Sequence, residues 1–413
     1  MTDVLIIGAG PAGSTAAAFL VQQGFKVLVL EKTKFPRFSV GESMLPASMH
    51  FIEKAGMMEA VMAASFQYKD GAVFHHNGRH HEFNFSQKSS PGYGFTFEVP
   101  RDTFDKILID EAQRQGAEVR YETEITAVDF TGGKPTVTAR AKDGSTETLH
   151  PKFVLDASGF GRTLPRLLDL ETPSKFPPRA ALYTQVYDHI ESGVFDRQKI
   201  LVVIHPRRPD VWYWVIPFSN GRVSMGCVAP DEFLQQFKGT TEERLRQAVH
   251  QDAELKELLK NAKHANPVTE ARSYAANVKT MHGPGWALLG NAAEFLDPVF
   301  SSGVCIAMKS ADLAAGILGR QLRGETPDWE NEFAKPLKIG VETFRGFVET
   351  WYDGGLAEIF FHPKKNQKIQ RFICSVLAGY GWDMNNPYVG NKRKLTALAE
   401  ACRTGKMFDL DAA

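Results

Sequence analysis

The chain is poor in the features that would place it in several large protein classes. Its four cysteines, Cys227, Cys305, Cys374 and Cys402, are scattered over 413 residues and form no CxxC pair. That spacing argues against a disulfide framework or a zinc site and fits a reducing cytoplasm. Neither sign of charge is in excess, with 48 Lys+Arg against 48 Asp+Glu, so no global field draws the chain to nucleic acid or an anionic membrane. No continuous apolar run approaches the roughly 20 residues of a membrane span. The first residues already read as a strand, so no signal peptide is expected. Internal repeats and low-complexity segments are missing too. What remains is ordinary globular composition, 43% hydrophobic and 23% charged. The length suits two interlocked domains and a tail.

The N-terminus carries the first positive signal. Val4-Leu5-Ile6-Ile7 is apolar throughout, as a strand buried on both faces must be. Gly8-Ala9-Gly10-Pro11-Ala12-Gly13 follows at once, and Ser14 to Gln22 is Ala-rich and helical in pattern. In such a loop the first glycine permits a tight turn, the second lets backbone approach a pyrophosphate, and the third lets helix pack on strand. The helix N-terminus then offers N–H donors and a positive dipole to phosphate. A second strand, Lys26 to Leu30, ends at Glu31, roughly twenty residues on, where an acid holds ribose hydroxyls. A glycine-rich turn alone would be weak evidence. The strand before it, the helix after it and the spaced acid together read as a dinucleotide site.

Two later segments bear on which dinucleotide. Phe153-Val154-Leu155-Asp156-Ala157-Ser158-Gly159 is a strand running into an Asp-containing turn. Trp286 to Ala293 is a second strand and turn, followed by Asp297-Pro298 and a helix from about Val304 to Leu318. These elements resemble those by which the para-hydroxybenzoate-hydroxylase-like flavoproteins close around FAD. The resemblance implies FAD contacts from Pro11, Ala12, Lys32, Arg37 and Ser43 beside the fingerprint residues Gly8, Gly10, Gly13 and Glu31. It also implies contacts from Arg101, Asp156, Gly159, Gly290, Asp297 and Gly303. The helix after Pro298 would point its N-terminus at the flavin and favour negative charge on it. One departure is Gly290-Asn291, where the family has Gly-Asp. Arg101 alone reads equally as a solvated helix start. No second glycine fingerprint follows, so no nicotinamide domain is expected and a separate flavin reductase would supply electrons.

The expected fold is α/β: a Rossmann-type FAD-binding domain interleaved with an antiparallel-sheet substrate domain, ending in a short helical tail. Alternating strands and helices assign residues 1–72, 98–172 and 278–328 to the first. Period-two strands near Leu182–Tyr187, Ile200–Ile204, Val211–Pro217 and Arg222–Val228 assign 173–277 to the second, with 73–97 joining the same sheet. The tail, 329–413, carries helical apolar stripes at Phe344, Phe347, Val348, Trp351 and at Phe372, Val376, Tyr380, which read as core.

Three motifs narrow the reading. Trp212-Tyr213-Trp214-Val215-Ile216-Pro217 reproduces a W-x-W-x-I-P pattern, Lys69 stands in Tyr68-Lys69-Asp70-Gly71, and Phe300-Ser301-Ser302-Gly303 follows Asp297-Pro298. With Pro36-Arg37-Phe38-Ser39-Val40-Gly41-Glu42-Ser43, they resemble the flavin-dependent halogenases over about residues 1–320. The resemblance implies that Lys69 is the catalytic lysine and that Ser302 and Gly303 form the halide loop. It makes Trp212 and Trp214 an aromatic wall that keeps organic substrate from the flavin. Reduced FAD, O₂ and chloride or bromide would then yield hypohalous acid. Lys69 would hold that acid by hydrogen bonding or as a haloamine, for transfer to an electron-rich ring. Desolvation suits the lysine by exposing its lone pair. Each motif has a plainer alternative: two core indoles, a lysine in a Lys-Asp-Gly turn, and a helix N-cap that equally binds anions. Tryptophan-acting members carry glutamate where Phe300 stands, so the resemblance is to the phenol- or pyrrole-acting branch, whose substrates are often tethered to carrier proteins. Rival readings on the same scaffold are an aromatic hydroxylase, a geranylgeranyl-reductase-like enzyme and a non-catalytic flavoprotein.

The stretch Phe74-His75-His76-Asn77-Gly78-Arg79-His80-His81 reads as a hairpin closed by a type I′ Asn-Gly turn. That register opposes His75 to His80, His76 to Arg79 and Phe74 to His81. Only His75 and His80 then share a face as a direct pair, too few ligands for zinc, and a solvated or substrate-facing hairpin is expected rather than a metal site.

Overall fold

Because Val4–Ile7 is apolar at every position it can be covered on both faces, and in the computed structural model it forms the middle of a parallel sheet. The structure describes residues 2–174, 176–272 and 275–405. Within them the chain divides into two compact units, one of 1–65, 100–175 and 275–338, the other of 66–99, 176–274 and 339–413. The C-terminal helices thus group with the second unit, because their apolar stripes pack there: Phe344, Phe347, Val348 and Trp351 are all buried.

In the first unit six strands run in the order His282–Gly283, Trp286–Leu288, Phe153–Asp156, Val4–Ile7, Val27–Leu30, Glu118–Arg120. All neighbours are parallel except the first pair. The helix Pro11–Gln22 starts at the proline itself, which suits a first helical position because its missing N–H has no partner there anyway. The helix expected from Val304 to Leu318 runs from Ser302 to Leu322. By length and composition it is long and apolar enough to cross a membrane, although Lys309 and Asp312 interrupt its apolar run. Its small residues (Ala311, Ala314, Ala315, all buried) mark it instead as a core helix packed on Pro11–Gln22.

The second unit is built on a large sheet in the order Lys263–His264, Ala180–Tyr187, Arg222–Ala229, Arg208–Pro217, Lys199–His205, Gly71–His76, Arg79–Asn84. Thr269–Arg272 pairs with Ala180–Tyr187 to complete its eight strands. The sheet departs from the expected antiparallel pattern at one place: Lys199–His205 runs parallel to Gly71–His76, which needs the long crossover the intervening chain supplies. One face carries a core of Leu182, Val203, Tyr213, Val215 and Cys227 under Phe233, Leu245 and Val249. The 73–97 segment does not all join this sheet. The Asn84 side chain accepts from the Ser86 N–H and turns the chain, Pro91 and Gly92 prevent a strand, and Thr96–Glu98 pairs instead with Gln67–Lys69.

Candidate active site

The strand–loop–helix of the first unit builds a cradle from the backbone outward. Gly8 has φ +96°, and a Cβ there would stand 2.7 Å from the Ala157 carbonyl oxygen. A Cβ at Gly13 would lie 2.0 Å from the Gly8 oxygen, so helix and loop touch through hydrogens alone. Gly10 is different: a Cβ there meets only the Arg37 guanidinium, at 3.6 Å. Gly10 therefore has room for a Cβ where Gly8 and Gly13 do not. Gly10 is also the N-cap of Pro11–Gln22 and supplies no side-chain cap, so the amide end of the helix, with Pro11, Ala12 and Gly13, is left to an anion. Glu31 is buried; one oxygen accepts from the Ala9 N–H at 2.9 Å and the other from Thr33 N (2.9 Å) and Oγ1 (2.6 Å). A carboxylate has about four acceptor sites, so those three bonds fix it in place and leave it able to accept a ribose hydroxyl. These features fit the pyrophosphate and ribose of a dinucleotide.

Arg101 is not the solvated helix start it resembles in isolation. It is buried, forks onto Asp105 at 2.7 and 2.9 Å, and donates to the Val40 and Gly41 carbonyls at 2.9 and 3.2 Å. Asp105, buried, also lies 3.6 Å from Arg37. One carboxylate thereby ties together Arg37, Arg101 and the loop that holds Ser43, which is itself buried. Asp105 was missed in the sequence, although its i, i+4 spacing from Arg101 on one helix was visible. Lys32 is exposed, with its amine near Gly161 in the turn after Phe153–Asp156.

Asp156 is fully buried and gives both oxygens to its own turn, accepting from Ser158 N at 2.8 Å and Leu164 N at 2.6 Å. Burial pushes its pKa up, and the two N–H donors act against that. Its work is to shape the turn in which Gly159, at φ +58°, leaves open space. Gly290 packs rather than opens: a Cβ would lie 2.8 Å from that of Ala307, and its N–H donates to Ser310 Oγ at 2.9 Å. Asp297 accepts from Val299 N at 3.0 Å and starts the short turn Pro298–Phe300. Ser301 then adopts a left-handed conformation, φ 54° and ψ 22°, and gives no side-chain cap to the helix that begins at Ser302. The N-cap reading therefore holds for position and fails for chemistry. A strained non-glycine residue leaves the first amides of a 21-residue helix, those of Ser302 and Gly303, without a side-chain acceptor. The Asn291 side chain stands beside Gly303, with Oδ1 3.8 Å from where its Cβ would be.

In the second unit Lys69 is 1% exposed, at the end of the strand Gln67–Lys69, opposite Thr96. It is not a turn lysine. Its amine lies 3.7 Å from a carboxylate oxygen of Glu98, itself 0% exposed, and 5.6 Å from the Phe85 ring centre. Desolvation lowers the Lys69 pKa, and Glu98 works in the opposite direction. Glu98 carried no signal in the sequence, since only strand pairing brings it near Lys69. Trp212 and Trp214 are buried with ring centres 5.8 Å apart. Trp212 Nε1 donates to Tyr352 Oη at 3.0 Å and Trp214 Nε1 to Ser224 Oγ at 3.1 Å. Gly226, across from Trp214, is the surface on which that indole lies, since a Cβ would be 2.3 Å from the ring.

Residues 1–332 match the FAD binding domain family. The chain is 32% identical over 380 residues to the 1H-pyrrole-2-carbonyl-(peptidyl-carrier protein) chlorinase of Pseudomonas fluorescens, covering 85% of this chain and 82% of that one. It belongs to the flavin-dependent halogenases. As a member of that family it is an FAD-dependent oxidoreductase that uses halide. Among relatives of this halogenase is the tryptophan 2-halogenase of Chondromyces crocatus, 30% identical over 85% of this chain and 66% of the other. Its fold matches the crystal structure of a flavoprotein/dehydrogenase from Cytophaga hutchinsonii with a TM-score of 0.95 and 42% identity, over 98% of this chain and 99% of that one.

Proposed function

We propose that the protein halogenates a pyrrole or phenol ring, carrier-tethered or free, with reduced FAD delivered by a separate reductase in the cytoplasm. The observation that carries this reading is Lys69, a lysine kept from water whose pKa is lowered by burial. A neutral amine has the lone pair that an electrophilic halogen needs; an ammonium or guanidinium does not. Phe300, buried and apolar where tryptophan-acting members have an acid, supports a substrate other than free tryptophan. The pyrrole-acting relative supports the same choice.

When bound, FAD in reduced form supplies, with O₂, the two-electron oxidation of halide. The chain supplies position and charge. Gly10 and the amide end of Pro11–Gln22 would hold the pyrophosphate, and Glu31 a ribose. Ser302 and Gly303 at the uncapped helix start would hold halide. Lys69 Nζ would hold the hypohalous acid by hydrogen bond, or form a haloamine with loss of water. The electrophilic halogen would then pass to a ring carbon as that carbon loses its proton, which leaves in water or replaces the halogen on nitrogen, while Trp212 and Trp214 would form a rigid aromatic wall. The test is mass spectrometry of a phenol and pyrrole panel, free and carrier-bound, incubated with reduced FAD, O₂ and bromide. The expected result is the bromine isotope doublet in at least one product. Failure across the whole panel defeats the proposal.

A second reading has one observation in its favour, the description of the Cytophaga hutchinsonii structure as a dehydrogenase. It requires turnover without O₂, so oxidation or reduction of a substrate under anaerobic conditions would select it.

A further inference from the structure

We propose that His75, His80 and Glu254 form an open binding site for a divalent transition ion of the Zn²⁺ class. The hairpin of Gly71–His76 and Arg79–Asn84 closes through Asn77 and Gly78, both at positive φ (52° and 71°), in the register its sequence predicts. His75 and His80 are therefore direct cross-strand partners, with ring centres 4.4 Å apart. Two imidazoles alone do not make a zinc site. The third ligand comes from the helix Ala253–Leu258, whose first turn carries Glu254. Asp252 fixes that turn as its N-cap, accepting from Leu255 N at 2.9 Å. Glu254 Oε2 lies 2.9 Å from His75 Nδ1 and 3.1 Å from His80 Nε2, and the three ligand atoms are all within 4.8 Å of one another.

These distances are close to those an ion demands. Tetrahedral bonds of about 2.0–2.2 Å place ligand atoms about 3.3–3.6 Å apart, so the Glu254 oxygen stands only a few tenths of an ångström closer to each imidazole nitrogen than coordination requires. Three protein ligands with a further coordination position is the open type of site. Here all three ligands line a cavity of about 580 Å³ that also includes Val73, Leu201 and the carboxylates of Glu191 and Glu257. Nitrogen and carboxylate donors together select a transition ion over calcium or magnesium, which take oxygen. His75 Nε2 accepts from the Gly78 N–H at 3.3 Å, which places its proton on Nδ1. Coordination through Nδ1 moves that proton to Nε2 and gives up this one long contact.

The experiment is Zn²⁺ titration of tag-free, FAD-loaded protein against a chromogenic chelator. One equivalent should bind, and binding should weaken as pH falls through the imidazole range. His80→Ala and Glu254→Gln change half-exposed side chains, so each should fold and retain FAD while losing about tenfold or more in Zn²⁺ affinity. An anomalous peak among the three ligands in zinc-soaked wild-type crystals provides a check that needs no variant. No stoichiometric binding, wild-type affinity in both variants, or a peak elsewhere overturns the proposal.

Discussion

Lys69 and Glu98 face each other with almost no water, and the chemistry proposed for the lysine depends on which of them holds the proton. Burial favours the neutral amine, the Glu98 charge favours the ammonium, and burial is the larger effect. The folded state therefore binds fewer protons than the unfolded chain between the lowered Lys69 pKa and its ordinary 10.5, so this group makes stability rise with pH across that interval. The same titration predicts a halogenation rate that climbs as pH rises through the lowered value. Glu98→Gln removes the charge that holds the proton on Lys69 and should move the climb to lower pH, read from rate profiles with pre-reduced FAD. An unmoved profile would show that Lys69 protonation does not limit the reaction. Lys69→Ala should abolish halogenated product while leaving FAD bound. Lys69→Arg should fail as well, because a guanidinium stays protonated. Removing the lysine takes away a partner of the buried Glu98 carboxylate, so Lys69→Ala/Glu98→Gln is the matched control for stability.

Two glycines of the first βα loop do different jobs, and substitution separates them. Gly13 is a packing contact, since any Cβ would sit 2.0 Å from the Gly8 oxygen, and Gly13→Ala should destabilise the fold by several kcal/mol. Gly10 borders open space, so Gly10→Val should keep its melting temperature without cofactor and lose FAD, which absorbance of the purified protein reads directly. A yellow, fully loaded Gly10→Val protein would refute the cradle. This loop was legible in the sequence because everything it needs is local: an apolar strand, three spaced glycines, a helix and an acid within one βαβ unit. The histidine hairpin was legible for the same reason, as two-residue turn chemistry sets its register. What escaped was tertiary. Burial of Lys69 depends on pairing with Thr96–Glu98, the third ligand at the hairpin on a helix far along the chain, and the fork of Arg101 on the fold around Asp105. Asp156 was legible as part of its strand-turn motif, whereas the two N–H groups its oxygens accept from, those of Ser158 and Leu164, belong to the folded turn.

At the scale of the molecule, the matched totals of 48 basic and 48 acidic residues leave recognition to local sites. The glycine fingerprint after Val4–Ile7 lies inside the residues that match the FAD binding domain, and FAD is expected there. A reduced nicotinamide would have to donate hydride without a Rossmann unit of its own, losing the binding energy that orients the donor; well-oriented groups gain roughly 7–11 kcal/mol of barrier over freely diffusing ones. NADH or NADPH alone should therefore reduce the bound flavin slowly, and a separate flavin reductase should restore turnover. Anaerobic stopped-flow mixing at the flavin absorbance measures the first step, and product formation with and without reductase measures the second. A hydroxylase that takes hydride directly predicts reduction at the rate of turnover, accelerated by the aromatic substrate. A dehydrogenase predicts that its organic substrate changes the flavin's redox state with no O₂ present. The halogenase predicts neither, but a product that requires O₂, halide and reductase together, and loss of that product on omitting halide while reduced flavin is still oxidised.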